Sequence, residues 1–164
     1  MRKFELISKE QFDADFKDTN VLYEELMLPK RNTKYAAGYD FYLPYDIEVK
    51  PGEIIKIATG VKVMMNEDEF LGLYVRSSLG FKYNMRLCNQ VGIIDFDYYN
   101  NIDNEGHMFV RLQNHGDKTV CLKKNDRYVQ GIFQKYYTVD DEEIIENERI
   151  GGFGSTNKGD DNNG

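Results

Sequence analysis

The chain has 164 residues, of which 41% are hydrophobic, enough for one ordinary core and too few for two comfortable domains. Its formal charge of −7 argues against a general nucleic-acid binder, which needs a net basic face to displace phosphate counterions. With ten Phe, twelve Tyr and no Trp, and with β-branched residues filling the apolar runs, the composition favours strands.

From the N-terminus, Ser8-Lys9-Glu10-Gln11 matches a capping box, and Phe12 and Phe16 follow at i, i+4 spacing. This predicts one short helix over residues 8–17. From Lys34 onward the pattern changes to strands and turns. Lys50-Pro51-Gly52-Glu53 reads as a turn between Ile47-Glu48-Val49 and residues 54–57, predicting a hairpin. Leu71, Leu73 and Val75 alternate with Phe70, Gly72 and Tyr74, and Met108, Val110 and Leu112 alternate with Phe109, Arg111 and Gln113. Residues 61–65, 86–91, 119–122 and 128–137 add short strands at intervals typical of a sandwich or barrel. The expected fold is therefore all-β, a jelly-roll β-barrel over residues 1–139. Residues 140–164 turn acidic and then rich in Gly and Asn, with few apolar groups to offset ordering entropy, and are expected to form a flexible arm.

Cys88 and Cys121 lie in strand-like runs without a C-x-x-C partner and are expected to be buried free thiols. His107 and His115 lack zinc-site spacing and are expected at the surface, at strand ends. No long apolar run or signal peptide is evident, so the expectation is a soluble, cytoplasmic protein with no membrane partner.

Several segments carry chemistry. In Gly92-Ile93-Ile94-Asp95-Phe96-Asp97-Tyr98 a carboxylate leaves an apolar strand at a turn, three residues before a ring. As a carboxylate, Asp95 can accept a proton from water, which suits hydrolysis; it can equally bond its own turn backbone. Arg76-Ser77-Ser78-Leu79-Gly80 follows a predicted strand and can open a helical turn that gathers donors around phosphate, or be an ordinary turn. Asp126-Arg127-Tyr128-Val129-Gln130 reads as a turn entering a strand. Gly151-Gly152-Phe153-Gly154-Ser155-Thr156 lacks the Gly-Lys-Ser/Thr ending of a phosphate loop, and its lone ring suits stacking on a base. With no metal cage visible, a divalent ion would arrive with substrate phosphates, as Mg²⁺ prefers.

In this order, these segments together with Ala37-Gly38-Tyr39-Asp40-Phe41 resemble the five signature motifs of the homotrimeric dUTPases, over residues 36–156. The resemblance implies a jelly roll that trimerises, with each site assembled from three chains. One gives the third motif, a second the first, second and fourth, and a third the tail. It implies hydrolysis of dUTP to dUMP and pyrophosphate, with Asp95 orienting the attacking water and Mg²⁺ as cofactor. By position, Asn89 and the backbone of Gln90 and Ile94 would bond uracil, and Tyr98 would lie under the deoxyribose, leaving no space for a 2′-hydroxyl. Arg76, Ser77, Ser78 and Gln130 would hold phosphates, and Asp40 would contact Mg²⁺ through water. Phe153 would cover the uracil, while Arg149, Gly154, Ser155 and Thr156 would complete the phosphate clamp.

The chain departs from the family pattern in three places. Arg149 sits one position closer to the Gly-Gly pair than usual, Asn157 stands where the family has Gly, and Tyr99-Asn100 replaces the usual Arg-Gly. Residues 99–107 look several residues longer than usual, which is similar to dUTPases of phages of Gram-positive bacteria. Some of those also bind a repressor protein, and this segment is the expected contact for one. The dCTP deaminases share the fold and an Arg-Ser-Ser segment, but Arg111 stands where they place a catalytic glutamate. A nucleotide sensor on the same scaffold is the third reading.

Overall fold

The computed structural model describes residues 1–152, and Phe153, Gly154, Ser155 and Thr156 lie outside them. In chain order the elements are β1 (Lys3–Leu6), α1 (Lys9–Asp15), a 3-10 turn at Tyr23–Glu25, β2 (Tyr39–Tyr42), β3 (Ile47–Val49), β4 (Ile54–Ala58), β5 (Val61–Met64) and β6 (Glu69–Val75). Then come α2 (Ser77–Tyr83), β7 (Met85–Leu87), β8 (Gly92–Asp95), a 3-10 turn at Phe96–Tyr98, β9 (Phe109–Asn114), β10 (Val120–Leu122) and β11 (Arg127–Lys135).

The strands form antiparallel sheets ordered β2-β11-β6-β8, β4-β9-β7, β1-β5 and β10-β3. Chain neighbours mostly pair across the sheets rather than with each other, which is the jelly-roll arrangement. The inward residues of β6 and β9 (Leu71, Leu73, Val110, Leu112) join Phe41, Ile57, Val63 and Tyr128 in one buried cluster. The alternation of β6 and β9 is as expected.

The N-terminal helix is also where its spacing predicts, with a difference at its cap. Ser8 Oγ accepts from the Gln11 N–H at 3.1 Å, but the reciprocal half of the capping box comes from Glu105, whose carboxylate accepts from the Ser8 N–H at 3.0 Å. Phe12 and Phe16 stack with ring centroids 4.6 Å apart, and with Ile7, Leu26 and Ala58 they form a second buried cluster. Burying such a ring contributes about 1.5–3 kcal/mol, so the helix is pinned by its aromatic face more than by its two turns of backbone bonds.

Four expectations need correction. Residues 47–49 and 54–57 do not form a hairpin: β3 pairs with β10 and β4 with β9, so the Pro51-Gly52 turn is a corner between sheets. The turn itself is as expected, with Gly52 at φ +81° and the Glu53 N–H bonded to the Lys50 carbonyl at 3.0 Å. Residues 86–91 are not one strand, because β7 stops at Leu87 and the chain reverses through Gln90 at φ +63°. Cys88 and Cys121 are free but exposed. In β10 the period of two that buries Val120 turns Cys121 outward, opposite the exposed Glu48. His107 is not a surface residue: it is completely buried, between α1 and β9. β1 and the turn at Tyr23–Glu25 are additions that sequence patterning did not reveal. Among the described residues no helix is long and apolar enough to cross a membrane.

The Nδ1 of His107 lies 2.5 Å from Asp15 Oδ2, and its Nε2 accepts from the Gly60 N–H at 2.9 Å. An accepting Nε2 fixes the neutral tautomer with the proton on Nδ1. Burial pushes the imidazole below its ordinary value, outweighing the opposing pull of Asp15. As pH falls below the ordinary imidazole value of about 6.5, the unfolded chain takes up a proton that the folded chain resists, so stability declines with falling pH. The urea midpoint is expected to drop between pH 7.5 and 5.5, and to drop less in His107→Gln. Equal slopes in the two proteins would contradict this protonation state.

Candidate functional site

Two pockets lie toward opposite ends of the β2-β11-β6-β8 sheet. The first, of about 230 Å³, is lined by Asn89, Ile94, Asp95, Tyr98, Arg149 and Gly152 with apolar neighbours from β6 and β9. The second, of about 240 Å³, is lined by Asn32, Gly38, Asp40, Arg76, Ser77, Arg127 and Gln130. Of the expected site residues, Gln90 is an exposed neighbour of the first pocket at the turn after Asn89, and Ser78 is half-buried one residue beyond Ser77. Each expected motif within the described residues thus reaches a pocket, but no single pocket gathers them all.

Asp95 ends β8 and is half-buried, so its backbone is paired while its carboxylate faces the pocket. It does not use its side chain to cap the following turn, so the reading as a self-bonded turn aspartate is not what the fold shows. The carboxylate instead accepts from Arg149 Nη2 at 2.6 Å, and Asp97 accepts from Arg149 Nε, also at 2.6 Å. The Arg149 guanidinium stands 6.0 Å above the Tyr98 ring. Residues 149–152 therefore lie along this same chain's third motif, whereas the resemblance implies a tail that reaches each site from a third chain. Two glycines make that close approach possible. A Cβ on Gly152 would stand 2.6 Å from Tyr98 Cε2, and one on Gly151 would stand 2.9 Å from the Asp103 side chain. Tyr98 itself is buried, and burial pushes its phenol above the ordinary range, so it stays protonated and donates to the His107 carbonyl at 2.8 Å.

In the second pocket Asp40, on β2, is buried and faces two guanidinium groups, with Arg76 Nε at 3.0 Å and Arg127 Nη1 at 3.3 Å, while Asn32 Nδ2 donates to it at 2.6 Å. Arg76 precedes α2, which begins at Ser77 as the helical turn expected there. Gln130 pairs with Asp40 across β11 and β2, and Gly38 leaves it room, since a Cβ there would fall 2.3 Å from Gln130 Oε1. Arg127 and Asn32 are pocket residues that sequence reasoning missed. Arg127 and Gln130 are an odd number of residues apart and would point to opposite faces of a regular strand. A bulge between Arg127 and Val129 brings both to one pocket, and only a bulge signal in the sequence could have shown it.

The separation of the pockets follows from the register. Phe70 pairs with Asp95 near one end of β6, Tyr74 pairs with Gln130 near the other, and Arg76 lies beyond the last residue of β6. Asp95 and Arg76 of one chain are thus about 20 Å apart along the strand direction, at roughly 3.3 Å per residue. Residues 99–107 fold into a compact loop that turns several of its polar groups inward. Asn101, Asn104, Glu105 and His107 bond within the loop or to α1 and β5, leaving Asn100, Ile102 and Asp103 as its exposed residues. Among the described residues no group of three His, Cys, Asp or Glu side chains is arranged to cage a metal.

The dUTPase family profile matches residues 24–157. A deoxyuridine 5'-triphosphate nucleotidohydrolase of Lactococcus lactis is 48% identical over 130 residues, covering 79% of this chain and 87% of its own. One from Heliobacterium modesticaldum is 36% identical, covering 82% and 92%. Among solved structures, the dUTPase of Streptococcus mutans superposes with a TM-score of 0.68 at 43% identity, covering 84% of this chain and 98% of its own. The dUTPase of Staphylococcus aureus phage phi11, described with a structural Mg(II) ion, shares the fold at 18% identity and a TM-score of 0.65, covering 89% and 97%.

The contact of Gly152 with Tyr98 yields a direct test. Gly152→Ala is expected to lift residues 149–152 from the ring, so that trypsin cuts after Arg149 several-fold faster while the melting temperature of the body is unchanged. Unaltered cleavage would show that the glycine is not what lets the tail lie there.

Proposed function

We infer that this chain, which belongs to the dUTPase family, hydrolyses dUTP to dUMP and pyrophosphate in sites that more than one copy of the chain completes. The observation that carries the reaction is the pocket at the end of β8, where a half-buried carboxylate, a buried ring and a polar turn converge. Asn89, with the backbone of Gln90 and Ile94, supplies hydrogen bonds for the uracil edge. Tyr98 floors the deoxyribose. Asp95 orients a water and takes its proton as the water oxygen bonds to the α-phosphorus. The bond from that phosphorus to the bridging oxygen breaks, pyrophosphate leaves, and the proton passes on to solvent.

The phosphates of one nucleotide are joined through single oxygens, so all lie within a few ångströms of the atom under attack. A strand direction of about 20 Å keeps the same chain's Arg76 from that charge. Arg76, Ser77, Ser78 and Gln130 of a neighbouring copy are the groups that hold it, which supports a homotrimer with shared sites. Arg149 neutralises Asp95 in the free chain. With a triphosphate bound, it moves from the carboxylate to the γ-phosphate, freeing Asp95 to act as a base. The arm beyond residue 139, with Phe153, Gly154, Ser155 and Thr156, closes over the nucleotide. Phe153 covers the uracil, and the residues after it complete the clamp.

Mg²⁺ fits the donor set as an ion that enters with the substrate. The second pocket offers one carboxylate, Asp40, already neutralised by Arg76 and Arg127, which suits contact through water rather than a protein cage. Bound there, the ion supplies charge neutralisation on the triphosphate. The deaminase reading loses support from Arg111, an exposed cation on β9 where that chemistry needs an acid.

Pyrophosphate release measured on dUTP, dCTP, dTTP and UTP, with and without Mg²⁺, is expected to single out dUTP and to need the ion. Ammonia release from dCTP would overturn this reading. Asp95→Asn is expected to bind nucleotide and lose turnover by at least about 10²-fold, the scale of a positioned general base. Wild-type turnover in that variant would refute the role of Asp95.

A further inference from the structure

Tyr98 is held at both ends by the segment that follows it. Its backbone carbonyl accepts from Asn101 Nδ2 at 2.8 Å, while its phenol oxygen donates to the His107 carbonyl and accepts from Asn104 Nδ2, each at 2.8 Å. The orientation of the Asn104 amide is dictated by its other bonds. Its Oδ1 accepts from Asn101 Nδ2 at 2.9 Å and from the Gly106 N–H at 3.1 Å, so only Nδ2 can face the phenol. The His107 carbonyl is fixed in turn, because the imidazole of that residue is wedged between Asp15 and the Gly60 N–H. Gly106 closes the loop against the Tyr98 backbone, where a Cβ would lie 2.6 Å from the Tyr98 carbonyl oxygen.

We propose that Asn104 is a positioning residue that sets the sugar selectivity of this enzyme, by holding the Tyr98 ring at the depth that excludes a ribose 2′-hydroxyl. The proposal rests on the reading of Tyr98 as the floor under the deoxyribose. Rejecting a substrate that only adds a hydroxyl is a matter of shape, and shape discriminates weakly unless the wall cannot yield. The phenol oxygen lies on the axis of the second side-chain torsion, so bonds to it fix how deep the far end of the ring sits; a single bond to the His107 carbonyl leaves that end able to swing about its acceptor through the first torsion. The second bond, from Asn104, removes that freedom. This gives residues 99–107, longer than the family pattern, a task inside the site: the loop carries a donor to the one ring that meets the sugar.

The test compares kcat/KM for dUTP and for UTP in the wild-type full chain, Asn104→Ala, Asn104→Asp, Tyr98→Phe and the double variant Asn104→Ala with Tyr98→Phe. Asn104→Asp keeps the volume and the acceptor toward Gly106 while losing the donor, so it reports on the bond even if the alanine variant folds poorly. Both Asn104 variants are expected to lower the dUTP-to-UTP ratio by roughly 5- to 20-fold, as for one buried hydrogen bond. In the Tyr98→Phe background the alanine substitution is expected to add less than about twofold, because the two share one interaction. An unchanged ratio in both Asn104 variants overturns the proposal, and so does a full additional loss in the Tyr98→Phe background. A wild-type protein that does not hydrolyse dUTP refutes the proposed function itself, and does so before any variant is compared.

Discussion

The pairing of β6 with β8 along one edge and with β11 along the other fixes where the candidate site residues stand. Because the register sets Phe70 opposite Asp95 and Tyr74 opposite Gln130, one strand separates the Asp95 carboxylate from the pocket of Asp40, Arg76 and Gln130. A ladder register cannot slip by a residue without turning Leu71 and Leu73 out of the core, so this separation is as firm as the fold. In the proposed reading a triphosphate, compact and highly charged, takes the missing half of its site from another copy of the chain, and the need for assembly then follows from the sheet rather than from an added interface device.

The second dependence runs from the N-terminus to the site. The aromatic face of α1 anchors the helix to the body, and the two ends of the helix grip residues 99–107, Ser8 through Glu105 and Asp15 through His107. That loop grips Tyr98. A helix distant in sequence from the third motif thus supports the Tyr98 ring, through polar contacts that run from the exposed Ser8 and the half-buried Asp15 and Glu105 to the buried His107. The fully buried His107 fits this chain of contacts because its neutral tautomer donates on one side and accepts on the other.

Much of this was legible in the sequence where a single physical rule acts alone. Alternation located β6 and β9, the i, i+4 phenylalanines located α1, and an Asp closing an apolar run marked the end of β8 that opens on a pocket. What was hidden depends on relations between segments. Lys50-Pro51-Gly52-Glu53 is a sound turn, yet a turn does not reveal whether its flanking strands pair, and here they part to different sheets. The Arg127 bulge reverses the face expected from strand period. His107 looks like a strand-end imidazole until Asp15, far away in the chain, is brought beside it. Cys121 shows the opposite error: an apolar-looking residue in a strand whose parity points outward.

The claim on which the account turns is that Asp95 and Arg76 serve one nucleotide only from different copies of the chain. Mixing Asp95→Asn with Arg76→Ala protein, after subunits are dissociated together and reassembled, tests it most directly. Each variant alone is expected to be nearly inactive. In a trimer whose sites pair one copy's Asp95 with another's Arg76, random reassembly of equal amounts restores activity to about a quarter of wild type, since every mixed trimer holds one intact site. Activity that stays at the level of the separate variants would contradict the account, because it would place both residues of each site in a single chain.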